Sequence, residues 1–101
     1  MKHNSYNNFF TNFANKTKLS IILILEKGPL SVNEITKKVK EEQSKVSHNL
    51  RKLLQCHILN AKQKGKQRIY SLNSETVVPI LKIVKKHVKK NCLKGCNKKI
   101  N

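Results

Sequence analysis

The sequence predicts a mainly α-helical domain carrying one two-stranded β-hairpin, in the order α-α-α-α-β-β-α. Three observations predict it. Apolar residues recur at helical spacing through most of the first 55 positions and again near the C-terminus. Between them, Leu59 to Leu72 breaks that period around Gly65-Lys66. Finally, 101 residues with three glycines and two prolines offer no linker, so a single domain, 1–101, accounts for the chain.

The first helix covers about Ser5 to Ala14, where Tyr6, Phe9, Phe10 and Phe13 fall at i, i+3, i+4, i+7 and form one face. These are four of the five aromatic residues. Asn15 can cap a second helix that runs to Lys27, with Leu19, Ile22 and Leu23 inward and Ile21 and Leu25 as further candidates; Gly28-Pro29 stops it. Ser31-Val32-Asn33-Glu34 reads as a capping box, the serine accepting from the third amide and the glutamate reaching back. Val32, Ile35 and Val39 carry the third helix to about Val39. Lys40 to Gln43 make a turn, and Ser44 to Gln55 form a fourth helix with Val46, Leu50, Leu53 and Leu54 on one face. Cys56 then reads as a small core residue at its end. Leu59–Lys64 and Gln67–Leu72 are strands, with Ile69 and Leu72, or Tyr70, supplying the apolar positions. A last helix starts at Ser74 or Val78, tolerating Pro79 in its first turn. Its stripe is Val77, Ile80, Leu81, Val84 and Val88, and lysines crowd the rest.

Charge narrows the function. Twenty-two lysines and arginines against five acids leave a net +17. Spread over about 5,900 Å² for a globule of this mass, that is about one positive charge per 350 Å², a field that attracts polyanions. Twenty of the cations are lysine, suited to loose phosphate neutralisation rather than bidentate forks. With five aromatics and no tryptophan, stacking platforms for single-stranded bases are poorly supplied. There is no aspartate, no carboxylate pair placed for acid–base work and no phosphate-cradling glycine loop, so an enzyme is not expected. The longest apolar run, Ile21 to Leu25, is far too short for a bilayer, and the start lacks a signal-peptide core. Three cysteines make no disulfide framework, and a reducing cytoplasm is expected.

Two short helices joined by a short turn and followed by a ribbon make a winged helix-turn-helix, with 31–55 the helix pair and 59–72 the wing. The second helix must bury one face and offer the other to a major groove. Its outer set, Gln43, Ser44, Lys45, Ser47, His48, Arg51 and Lys52, contains no acid. Gln43, Lys45 and His48 are long enough for base edges, whereas Ser44 and Ser47 can approach phosphates near the helix N-terminus. The wing adds Lys62, Lys64, Lys66, Gln67 and Arg68 for adjacent backbone or minor groove. The expected partner is double-stranded DNA.

At these residues the chain resembles the ArsR-type winged-helix regulators. Ser44-Lys45-Val46-Ser47-His48-Asn49-Leu50-Arg51-Lys52-Leu53 is similar to that family's recognition helix. Ala14 to Leu19 resembles its second-helix entry, and Arg68 to Asn73 the end of its wing. The likeness covers about Phe10 to Val88. It implies cytoplasmic homodimers that bind imperfect palindromes and repress transcription, joined through the first and last helices, here 5–14 and 74–90. The residues for that interface are Tyr6, Phe9, Phe10, Phe13, Ile80, Leu81, Val84 and Val88. Independently, these two helices are more apolar than one small domain needs, which also argues for self-association. Where many members carry a Cys-x-Cys metal site, Ser31 and Asn33 stand here. The last helix has only His87 among lysines, so no metal and no cofactor are expected. His57 replaces the family's usual glycine before the wing, which bears on how tight that turn can be.

Cys92 and Cys96 lie four apart in a basic tail, 91–101. Lysines there would lower their thiol pKa, so an alternative to two incidental cysteines is a thiol-based redox sensor. A second alternative is a non-specific architectural or RNA-associated protein, which charge alone supports equally. The lysine-rich last helix reads as nucleic-acid footprint or solubility rather than membrane contact, and no small-molecule substrate is identified.

Overall fold

The computed structural model describes residues 3–92; Cys96 and the tail beyond 92 lie outside the described residues, as does the Cys92 side chain. The elements are α1 (His3–Ala14), α2 (Lys16–Leu25), β1 (Leu30–Ser31), α3 (Val32–Val39), α4 (Gln43–Gln55), β2 (Leu59–Lys64), β3 (Gln67–Leu72) and α5 (Val77–His87). A π-helical turn, Val88–Cys92, continues α5.

Local chemistry sets most of these boundaries. The Asn15 side chain accepts from the Lys18 amide at 3.0 Å and starts α2. That helix ends two residues earlier than expected. The amides of Glu26, Lys27 and Gly28 each bond three residues back, a tightened last turn, and Gly28 at φ 146 then turns the chain away. The capping box at α3 is complete: the Glu34 amide donates to Ser31 Oγ at 3.3 Å, and the Ser31 amide donates to Glu34 Oε1 at 2.9 Å. The Ser31 backbone amide first, and the Ser31 hydroxyl after it, hold the Glu34 carboxyl below its ordinary pKa, with Lys38 and Lys37 adding to the effect. Lys40 closes α3 in the left-handed region at φ 57, its amide donating to the Thr36 carbonyl at 3.0 Å.

The hairpin has the expected ends, pairing Leu59 with Leu72 through Lys64 with Gln67. Of its two turn residues only Gly65 has positive φ, at 62, the pattern of a type II′ turn. The expected two-stranded sheet, however, has three strands in the order β1-β3-β2. The added strand is antiparallel to β3, with Leu30 opposite Tyr70 and Ser31 opposite Ile69. Two residues are too few to show a period of two, so this strand exists only because β3 offers it an edge.

The core joins Ile21, Ile22 and Leu25 of α2, Ile35 of α3, Val46, Leu50 and Leu53 of α4, and Ile58, Leu59, Tyr70, Leu72, Val77 and Leu81. Both Tyr70 and Leu72 face inward. Leu23, expected inside, is 45 % exposed, while Ile22 is buried as expected, together with the further candidates Ile21 and Leu25.

Cys56, expected in the core, is exposed. It caps α4 at φ −90, ψ 6, and His57 at φ 58 reverses the chain so that Ile58, fully buried, takes the core position. The turn thus forms with histidine where glycine costs less. Asn73 secures it. Its Nδ2 donates to the His57 carbonyl at 2.9 Å, and its Oδ1 accepts from the amides of Glu75 and Thr76, leading into α5.

Candidate nucleic-acid interface and apolar groove

α4 separates its two faces as its spacing requires. Val46, Leu50 and Leu53 anchor it, while Gln43, Ser44, Lys45, Ser47, His48, Arg51 and Lys52 are all exposed. Asn49, which the spacing alone did not single out, lies on the inner side, and its Nδ2 donates to the Lys45 carbonyl at 2.9 Å. A polar residue at an inward heptad position was the available signal. α2, α3 and β2 all pack against α4, so the recognition face is carried on rigid elements.

Acids do border that face. Lys45 Nζ lies 3.2 Å from Glu41 Oε1 in an i,i+4 ion pair, and Ser44 Oγ donates to Glu42 Oε1 at 2.6 Å. Both are exposed contacts at the start of α4, worth at most about 1 kcal/mol each, and give way readily to a stronger anion. On the hairpin, Lys62, Lys64, Lys66, Gln67 and Arg68 are exposed, with Arg68 over the Tyr70 ring at 5.8 Å.

A second feature lies between α1, α2 and α5. Phe9, Phe10 and Phe13 face Ile80, Leu81, Val84 and Val88 across an apolar groove of about 690 Å³, with Leu19 and Leu23 also lining it. The groove gathers the residues expected at an interface except Tyr6, which does not line it and is 54 % exposed. Leu81 contributes mostly to the chain's own core, at 6 % exposure. Phe10 at 62 %, Val84 at 48 % and Val88 at 38 % leave large apolar area in water. Leu23 was assigned inward from spacing, and here it belongs to this outward surface. Among the described residues, no group of three histidine, cysteine or acidic side chains could hold a metal ion, and Ser31 is committed to capping α3. No helix among them is long and apolar enough to cross a membrane.

A helix pair ending in an exposed, acid-free recognition helix, with a basic hairpin beside it, defines a winged helix-turn-helix DNA-binding regulator. Comparison with known proteins agrees and narrows the class. The family model described as "Bacterial regulatory protein, arsR family" matches residues 15–61. The chain is 32 % identical over 76 residues to the uncharacterized HTH-type transcriptional regulator MJ1325 of Methanocaldococcus jannaschii, covering 74 % of this chain and 85 % of that one. It is 34 % identical over 68 residues to the HTH-type transcriptional regulator NmtR of Mycobacterium tuberculosis; that match takes in 67 % of this chain but only 57 % of the mycobacterial protein. Its fold superposes with a TM-score of 0.79, at 21 % identity, on the homodimeric winged helix-turn-helix DNA-binding domain of Mb0332 from Mycobacterium bovis, covering 86 % and 81 % of the two chains. The chain belongs to the arsR family of transcriptional regulators.

Proposed function

We propose that this chain is a homodimeric, sequence-specific transcriptional repressor of the cytoplasm, gripping two half-sites of an imperfect palindrome about one helical turn apart. The observation that carries the reading is the exposed face of α4, seven polar or basic side chains without an acid, held out by a fully packed inner face. Gln43, Lys45 and His48 read base edges. Ser44, Ser47, Arg51 and Lys52, with Lys64, Lys66 and Arg68 of the wing, hold phosphates. The aromatic groove supports the twofold pairing, as does the homodimeric state described for the Mb0332 domain. Repression follows from occupancy, since a dimer seated across two grooves excludes other proteins from the site.

The net charge of +17 favours a second reading, a basic protein that coats nucleic acid without preference. Selection from a random-duplex pool separates the two. A regulator enriches one palindromic motif and binds it at least about 10³-fold better than random duplex. A ratio near one establishes the coating protein instead. Repeating the selection under reductant and oxidant tests whether Cys92 and Cys96 alter binding.

A further inference from the structure

A second groove, distinct in chemistry from the aromatic one, runs between the end of α2 and the end of α3. It is an open groove of about 660 Å³, a volume within the range of small-molecule sites. Its floor is aliphatic: Ile24 and Leu30, both half-buried against the core, with Leu23 and Pro29 beside them. Its rim is cationic, formed by Lys27, Lys37, Lys38 and Lys40, all exposed, and none of its lining residues is an acid. Of the carboxylates nearest in sequence, Glu34 is engaged by Ser31, Glu41 pairs with Lys45, and Glu26 lines the aromatic groove. The pairing of Leu30 with Tyr70 and the Gly28-Pro29 turn hold the floor in place.

Lysines near helix C-termini complement the helix dipoles, which explains the charge but not the apolar floor beneath it. A DNA backbone would use the rim and leave the floor wet. One class of occupant uses both. The geometry points to a binding site for a free amphipathic organic anion, a carboxylate whose aliphatic body lies on Ile24, Leu30 and Leu23 while its head is held by the α3 lysines. The site goes beyond DNA recognition and does not depend on it. Leu23 lines this groove and the aromatic groove alike, so an occupant here touches the ridge that separates the two.

The test uses the full chain, with decanoate as probe and decanol as its uncharged counterpart. Amide chemical shifts are followed by NMR and affinities by calorimetry. Decanoate should bind saturably and shift the amides of Ile24 to Leu30 and Lys37 to Lys40. Two or three exposed ion pairs, each good for a few-fold, should make it about tenfold tighter than decanol. The variant K37Q/K38Q/K40Q should lose about tenfold, and K38Q alone a few-fold. K16Q/K86Q/K90Q, with the same net charge as that triple variant and changes at exposed lysines that line neither groove, should lose less than twofold. Equal affinity for decanol, shifts centred on Phe10 and Val84, or equal losses in the two triple variants would each overturn the site. So would a K37Q/K38Q/K40Q chain that keeps decanoate but loses affinity and salt dependence for duplex DNA, which would assign those lysines to the phosphate backbone.

Discussion

Phe10 is the sharpest place to test self-association. Its ring is 62 % exposed on the rim of the aromatic groove, packed edge-on against Phe9 at 5.1 Å between centroids. A phenylalanine offers about 200 Å² of surface, so roughly 120 Å² remains in water on one chain. At about 25 cal/mol per Å², covering it is worth about 3 kcal/mol, and twofold symmetry doubles that to about 6. Alanine keeps part of the contact and the neighbours partly close, so Phe10→Ala should weaken dimerisation by about 2–4 kcal/mol, roughly 30- to 1,000-fold in dissociation constant. Sedimentation equilibrium over a wide concentration range reads this directly. The Phe9 contact is lost within each chain as well, so urea unfolding of dilute monomer must be measured alongside and its smaller change, about 1 kcal/mol, taken out. Asn7→Ala, an exposed position on the same helix, serves as the control. An unchanged association constant in Phe10→Ala, or a wild-type chain that stays monomeric at high concentration, would refute the assignment of this groove to a second copy.

Three other expectations follow from the same structure. Lys66→Ala on the wing should weaken all duplexes alike and lower the salt slope by about one, whereas Lys45→Ala should change the preferred sequence; identical losses in a binding-site selection would count against that division of labour. Glu34 has a lowered carboxyl pKa, so its contribution to stability is present above the ordinary value of 4.5 and disappears as pH falls through the lowered one. Thermal melts of wild type and Glu34→Gln should therefore converge on acidification through that window, and a gap that widens there would contradict the sign. His57→Gly relieves about 1–2 kcal/mol of left-handed strain and adds about 0.5–1 of unfolded-chain entropy, so the urea midpoint should rise slightly at unchanged m. A lower midpoint would show that the imidazole itself stabilises the turn.

Sequence reasoning reached the recognition face more easily than the grooves, and the cause lies in how far each depends on distant residues. The outer set of α4 follows from a helical period and from buried Val46, Leu50 and Leu53, all within one element. Asn49 was hidden because its partner is the Lys45 carbonyl, an intrahelical bond that residue type does not announce. Leu23 was misplaced because α2 is apolar nearly all round, leaving spacing with little to choose between one face and another. The lysine-rimmed groove brings Lys27 beside Lys37, Lys38 and Lys40, positions that meet only once α2 and α3 pack.

What the amino-acid order decided alone is whatever closes through neighbours. The Asn15 cap, the reciprocal Ser31–Glu34 bonds, the Gly65 turn and the ends of both hairpin strands all come from contacts between residues close in sequence, where side-chain type dictates the bond. Packing decided the rest. β1 exists because β3 presents an edge to it. Cys56 faces water because Ile58 fits the core better once His57 turns the chain. The apolar stripe of α5 splits between the chain's own interior, at Val77 and Leu81, and an open groove at Val84 and Val88. Hydrophobic burial has no direction of its own, so only the assembled neighbours settle which of several equally apolar surfaces goes inside.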